Sequence, residues 1–352
     1  MSPPRRALYI ALPGDIDDPA TPSGGNHYDR RVCDGLAADF DVHELAFAGD
    51  WPRPGPAAER ALADALDELP DGADVLLDGL LAGLPDVLVP AARRLRLIVL
   101  VHLPLGDETG LSPADAATLT ARERRTVHAA AAVVATSTAA AHRVAAVHGL
   151  DASDIHVAAP GVEPAPAAPG SAAGTRLLCV AAVTPRKGHD VLVEALARVA
   201  DQPWECRCIG DLDRQPDFVA QVRARAADLG RVQLLGTRTG PALADAYAAT
   251  DLLILPSRAE TYGMVVTEAL ARGVPVLASR LDGVAEALGA ADGAVPGVLV
   301  PPGDPAALAE ALREWLTDAG LRERLRAAAA ARRAALPGWD ETVRELTKVV
   351  CG

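Results

Sequence analysis

Short, nearly all-apolar runs recur at 7–12, 73–78, 95–101 and 131–136, and the stretches between them are rich in Ala, Leu and Arg. Runs so short and so uniformly apolar are those of strands buried on both faces, as in a parallel sheet covered by helices. Strand and helix signals that alternate in this way predict a doubly wound α/β sheet. The second half repeats the pattern. Arg176-Leu-Leu-Cys-Val-Ala-Ala-Val183, Trp204-Glu-Cys-Arg-Cys-Ile209, Arg231-Val-Gln-Leu-Leu-Gly236 and Asp251-Leu-Leu-Ile-Leu-Pro256 all read as strands ending in polar loops. A helix is expected over 190–200, with apolar residues at 191, 192, 195, 196 and 199.

Between the halves the chain reads Ala158-Ala-Pro160-Gly-Val-Glu-Pro-Ala-Pro-Ala-Ala-Pro169-Gly. Proline at that density fits neither sheet and marks a linker. A chain of 352 residues, 50% of them hydrophobic, exceeds what one core usually fills. The expected organisation is therefore a first domain over 1–160, a Pro/Ala-rich linker over 161–174, a second domain over 175–337, and a terminal helix over 338–352 after the break at Leu336-Pro-Gly338.

The motif richest in chemistry follows the apolar run that ends at Pro256. It reads Ser257-Arg-Ala-Glu260-Thr-Tyr262-Gly263-Met264-Val-Val-Thr-Glu268-Ala-Leu-Ala-Arg-Gly273. Ser257 to Thr261 form a polar loop, and Gly263 opens a stretch with apolar residues at 265, 266, 269 and 270, the spacing of one helix face. The unit is strand, loop, helix. Helix N-terminal N–H groups lack internal partners and favour an anion, and Gly263 lets one approach closely. Glu268, about one turn in, is placed to accept hydrogen bonds from a diol such as a ribose, and Glu260 to face whatever hangs off the anion's far side. Acidic residues near a helix start are also favoured electrostatically whatever the protein does, so either glutamate alone would say little.

Thr184-Pro-Arg186-Lys187-Gly188 puts two adjacent cations in the loop after another strand. An Arg fork beside a Lys point charge suits a diphosphate. A solvated pair of surface cations is the alternative reading.

Glu260 and Glu268 with Tyr-Gly between them resemble the E-x7-E motif of retaining, family 4 type glycosyltransferases of GT-B fold, with Tyr262 where phenylalanine is commoner. The resemblance covers most of the chain and is strongest from about 175 to 300. It implies two Rossmann-like domains facing a central cleft, with ligands at the strands' carboxyl ends. By this resemblance Arg186 and Lys187 stabilise the departing nucleoside diphosphate and Glu260 orients the transferred sugar. Glu268, Gly263, Met264 and Tyr262 bind the donor, and Thr237 and Arg238 stand near the base, where an ordinary loop is the other reading. Pro160-Gly-Val-Glu163 is similar to the family's entry into the donor domain.

In the first half the resemblance implies the acceptor side. The polar, Pro-rich stretch 13–23 leads into Gly24-Gly25-Asn26-His27, which opens a helix and is similar to the family's N-terminal glycine loop, so Gly25 approaches the donor phosphate. His102 follows Leu97-Ile-Val-Leu-Val101 where family members often carry a histidine that touches the sugar. A ligand-free helix start and a structural histidine are the respective alternatives. The terminal helix of such enzymes returns to the first domain.

No G-x-x-x-x-G-K-[ST], G-x-S-x-G or H-E-x-x-H is present, so the usual signatures of NTPases, hydrolases and zinc proteases are missing. Asp15-Ile-Asp17 and Asp211-Leu-Asp213 mimic the D-x-D of metal-dependent transferases, and chance supplies such triplets in an Asp-rich chain. No catalytic metal is expected. Net charge is −13 at pH 7, which argues against a nucleic-acid partner. It argues less firmly against anionic lipid, since Arg93, Arg94 and Arg96 form a local basic patch. No apolar stretch reaches the length of a membrane span, and the start resembles a strand rather than a signal peptide, so the cytoplasm is expected. Cys206 and Cys208 share a strand face and are expected to be buried, reduced thiols.

With these readings, the resemblance implies an enzyme of retaining hexosyltransferase type. It would need no cofactor, take a UDP-, GDP- or ADP-linked sugar as co-substrate, and act on an acceptor for which a small metabolite is slightly favoured. A sugar-nucleotide epimerase, an inverting transferase and a non-catalytic nucleotide-sugar binding protein stay open.

Overall fold

The computed structural model describes residues 5–18, 23–108 and 110–352; residues 19–22 of the polar 13–23 stretch lie outside them. The chain divides into two compact units, one of Met1–Gly161 with Gly338–Gly352 and one of Val162–Pro337.

In the first unit the strands are β1 (Ala7–Pro13), β2 (Asp41–Phe47), β3 (Asp74–Asp78), β4 (Arg96–Val101), β5 (Ala132–Ala135) and β6 (Ile155–Val157), all parallel, in the order β2-β1-β3-β4-β5-β6. β3 and β4 are buried almost throughout, and their apolar side chains form the core with Leu62, Leu66 and Val144 from the helices. β2 and β6 are edge strands whose mixed polar sequence gives no continuous apolar run. The helix Trp339–Cys351 belongs to this unit and packs on the helix Gly24–Leu36. A Cβ at Gly35 would run into Val343, so the close approach of the two helices needs glycine there.

The second unit contains β7 (Arg176–Val180), β8 (Glu205–Ile209), β9 (Val232–Leu234), β10 (Leu252–Leu255), β11 (Val276–Ser279) and β12 (Gly297–Val300). All are parallel, in the order β12-β11-β10-β7-β8-β9. The strand order reverses between β7 and β10, and in open α/β sheets ligands bind at the carboxyl ends beside such a reversal. β7, β8, β9 and β10 are the strands expected, although β7 ends at Val180 and β9 is only Val232–Leu234, shorter than their apolar runs, and β11 and β12 are not among the strands read from the sequence. The Pro-rich stretch is irregular, and from Val162 on it belongs to the second unit, to which hydrogen bonds tie it. Ala168 N–H donates to the Arg272 carbonyl, and Ser171 donates twice to Asp251.

The basic patch at 93–96 is largely taken up internally. Arg94 donates to the Leu66 and Leu69 carbonyls, and Arg96 donates to Asp74 and to the Val349 and Val350 carbonyls that end the last helix. Among the described residues no helix is long and apolar enough to cross a membrane. Cys206 and Cys208 are buried free thiols, whereas Cys351 is exposed.

Candidate functional site

Because β7 and β10 are hydrogen-bonded neighbours, the loops that follow them are forced together. The first, Pro185–Lys187, is a single 3-10 turn closed by Gly188 at φ +70. A Cβ on Gly188 would run into the Pro256 carbonyl, so this glycine serves both a left-handed backbone and a close approach. The two loops are then stitched. Arg258 N–H donates to the Arg186 carbonyl at 2.7 Å, and the Arg258 guanidinium makes a two-pronged ion pair with Asp190 at 2.8 and 2.9 Å. The Arg258 guanidinium also donates to the Pro185 carbonyl at 2.6 Å.

The stitching brings Arg186, Lys187 and Glu260 together. Lys187 Nζ lies 2.5 Å from Glu260 Oε1, Ser257 Oγ donates to the same oxygen at 2.7 Å, and Arg186 stands 3.7 Å from Oε2 while donating to the Ala259 carbonyl. Glu260 is only 8% exposed. Burial by itself would push its carboxyl up; the Lys187 and Arg186 charges, with the bonds from Lys187 and Ser257, outweigh burial and hold it below its usual range. The group is an ionised carboxylate facing two cations at a sheet's switch point.

Glu268 sits within the helix Met264–Leu270, whose N-cap Gly263 is left-handed at φ 91. Its Oε2 accepts from the Tyr247 hydroxyl at 2.7 Å, and Arg272 lies over the Tyr247 ring, 4.6 Å from its centroid. Tyr247 is fully buried, so one carboxylate oxygen is fixed by a rigid donor. Tyr262 is not displayed: it is 5% exposed, burial pushes its hydroxyl up to about 12, and Arg332 and Glu286 are the charges it feels. Met264 lies in the first helical turn, and Thr237 and Arg238 are exposed in the loop between β9 and the helix Gly240–Ala248.

In the first unit, Gly25 and His102 are neighbours: a Cβ on Gly25 would lie 3.6 Å from the His102 ring. Ser23 caps the helix through a bond from Asn26 N–H. His102 Nε2 is 2.8 Å from Asp29 Oδ1 and 3.6 Å from Asp78 Oδ2, and both aspartates are 3% exposed. Burial raises the Asp29 carboxyl to about 6 and raises Asp78 well above its ordinary value, with Asp29's charge adding to the second effect. Burial also lowers His102, opposed by Asp78. Among the described residues this trio is the one whose His and carboxylate atoms all lie within 4.8 Å of one another, a separation that a metal ion could bridge. A hydrogen bond already joins His102 to Asp29. In the D-x-D look-alikes, Asp17 pairs with Arg30 of the helix Gly24–Leu36, and Asp211 accepts from the N–H groups of Asp213 and Arg214 in its own loop.

Sequence reasoning missed Ser257, Asp190, Arg258, Tyr247, Asp29 and Asp78. Asp78 carried a signal, since a carboxylate closing the run Val75-Leu-Leu77 is costly unless it is used. The others looked like ordinary loop or helix residues.

Two family models match the chain: "Glycosyltransferase Family 4" over residues 20–165 and "Glycosyl transferases group 1" over residues 174–318. Among curated relatives, D-inositol 3-phosphate glycosyltransferase 1 of Catenulispora acidiphila is 33% identical over 74% of this chain and 66% of its own length. The D-inositol 3-phosphate glycosyltransferase of Jonesia denitrificans is 32% identical over 68% of this chain and 62% of its own. The chain thus spans slightly less than two thirds of these relatives. Among solved structures, sucrose-phosphate synthase from Thermosynechococcus elongatus superposes with a TM-score of 0.77 at 23% identity, covering 97% of this chain and 98% of the other. Anabaena HepE in complex with UDP and glucose gives 0.76 at 19%, covering 98% and 99%. The chain therefore carries a family 4 and a group 1 glycosyltransferase domain, on two parallel α/β sheets whose structural neighbours are glycosyltransferases of GT-B fold.

Proposed function

We propose that this protein transfers a sugar from a nucleoside diphosphate sugar to an acceptor hydroxyl, with retention at the anomeric carbon and without a catalytic metal. The observation that carries this reading is the meeting of Arg186, Lys187 and Glu260 at the switch point of the second sheet. Two fixed cations there oppose the negative charge that builds on a leaving diphosphate, and being preorganised they need little rearrangement as the bond breaks. Glu260, held ionised, is oriented to accept from the sugar's hydroxyls. Glu268, steadied by Tyr247, is the acceptor for a ribose diol. The second unit is thus the donor side and the first the acceptor side. Support comes also from a neighbour solved with UDP-glucose and from relatives named for an inositol phosphate, which favour a UDP-linked donor and a small-molecule acceptor.

The test offers UDP-, GDP- and ADP-linked sugars with a panel of polyols and polyol phosphates, in chelator, and reads transfer by mass and product configuration by NMR. A product of α configuration from an α-linked donor is expected. An inverted product overturns retention, and loss of activity in chelator overturns metal independence. Glu268→Ala should weaken nucleotide binding by about 2 to 4 kcal/mol in calorimetry; unchanged affinity would remove Glu268 from the donor site.

A further inference from the structure

His102 is reached by two carboxyl groups that the transferase reading leaves unused. Asp29 projects from the helix Gly24–Leu36 and Asp78 ends β3, so three elements converge beneath one ring at the carboxyl end of the sheet. Tyr28 and the ring meet in a T-shaped contact, with centroids 5.1 Å apart, and Arg30 is the cation whose charge acts on Asp29. The Asp78 carboxyl accepts from Leu80 N–H on Oδ1 at 2.6 Å, and it faces the Asp29 carboxyl with oxygens of the two groups within 4.8 Å of each other. Two carboxyls in such contact hold a proton between them, because two buried like charges are costly. With the proton on Asp78, Asp78 donates to Asp29, and Asp29 is the acceptor that His102 Nε2 faces at 2.8 Å. A carboxylate on one ring nitrogen fixes which nitrogen keeps the hydrogen.

We propose that Asp29, itself held by Asp78, is a positioning residue that keeps His102 neutral and protonated on Nε2, so that Nδ1 is offered to a substrate hydroxyl as a hydrogen-bond acceptor. The ring is 21% exposed above two buried aspartates, and Gly25, having no side chain, leaves its edge uncovered. The raised Asp29 and Asp78 values and the lowered His102 value agree with this distribution of protons near neutrality. The role assigned to His102 rests on the transferase reading, whereas the proton arrangement does not.

The experiment uses the full chain with 15N-labelled histidine and reads the His102 nitrogens in long-range 1H–15N spectra at pH 7, assigned with His102→Gln. Wild type should show unprotonated Nδ1 and protonated Nε2. Asp29→Asn, whose amide can donate to Nε2, should shift the ring toward the other tautomer. It should also lower kcat by at least about tenfold with donor KM changed by less than about twofold, and cost less than about twofold in a His102→Gln background. Asp78→Asn, which still donates to Asp29, should keep the wild-type tautomer, and Asp78→Leu should not. If Asp29→Asn does not fold, the two Asp78 variants give the same reading. A wild-type tautomer in both Asp29→Asn and Asp78→Leu overturns the proposal, as does an equal cost of Asp29→Asn with and without His102. A divalent ion held one-to-one by dialysed wild type and lost in Asp29→Asn overturns it too. A protein that transfers no sugar yet shows the tautomer shift refutes the transferase reading and leaves the positioning network standing.

Discussion

Lys187 and Glu260, separated by 73 positions, meet at 2.5 Å because β7 and β10 lie side by side in the second sheet. The contact is mostly buried, with 18% of the lysine side chain and 8% of the glutamate exposed. Lys187→Met would leave Glu260 with Ser257 and the more distant Arg186. Removing one partner of a buried pair leaves an uncompensated charge, and urea unfolding should show a loss of about 2 to 4 kcal/mol. Adding Glu260→Gln should recover part of it. A single variant as stable as wild type would mean that the pair contributes nothing.

Arg258 and Asp190 clamp the two site loops from the outside, at 40% and 29% exposure. A pair so open contributes little to global stability, so Arg258→Ala should change it by less than about 1 kcal/mol. Its expected effect is local, a several-fold rise in the dissociation constant for the nucleoside diphosphate. Exchanging the two residues, Arg258→Asp with Asp190→Arg, should restore part of the affinity, which isothermal calorimetry would detect.

Gly188 combines φ +70 with a Cα packed on the Pro256 carbonyl. Gly188→Ala therefore meets backbone strain and a clash at once, and should cost about 2 kcal/mol or more. A thermal melt is a sufficient measurement, and nucleotide affinity should fall with it as the loops part. Gly72, also left-handed but with open space around it, is the control: Gly72→Ala should cost about 1 kcal/mol.

Tyr247→Phe removes the donor to Glu268 and nothing else from a buried ring. One hydrogen bond to a charged group is at stake, so nucleotide affinity should drop by about 1 to 2 kcal/mol in calorimetry, less than for Glu268→Ala. An unchanged affinity would show that Glu268 needs no help from Tyr247.

The raised Asp29 carboxyl makes stability depend on pH. Unfolded, it loses its proton near 3.8; folded, it keeps the proton to about 6. Between those values the native state binds more protons than the unfolded one, so this group's contribution falls as pH rises through the window and is then constant. The amide introduced by Asp29→Asn does not titrate. The stability of that variant relative to wild type should thus rise between about pH 4 and 6.5 by on the order of 2 kcal/mol, measured by denaturant unfolding at each pH. A flat difference would show that Asp29 is not perturbed.

The local sequence determined a good deal. Apolar runs such as Leu252-Leu-Ile-Leu255 had to be strands buried on both faces, and the polar loops after them had to lie at the carboxyl ends of a parallel sheet. The E-x7-E spacing and the Arg186-Lys187 pair were legible because they are continuous in sequence. β2 was not, since an edge strand with one solvated face lacks the apolar run that marks a central one. What only the tertiary structure decided is which strand stands beside which. The placement of β10 against β7 depends on hydrogen bonds and packing between segments about 75 residues apart. That adjacency turns a lysine and a glutamate into an ion pair, and Arg258 with Asp190 into a clamp. It likewise takes the convergence of one helix and two strand ends to bury Asp29 and Asp78 beneath His102. Periodicity reports the environment of a residue's own segment, whereas a partner contributed by a distant segment leaves no local trace.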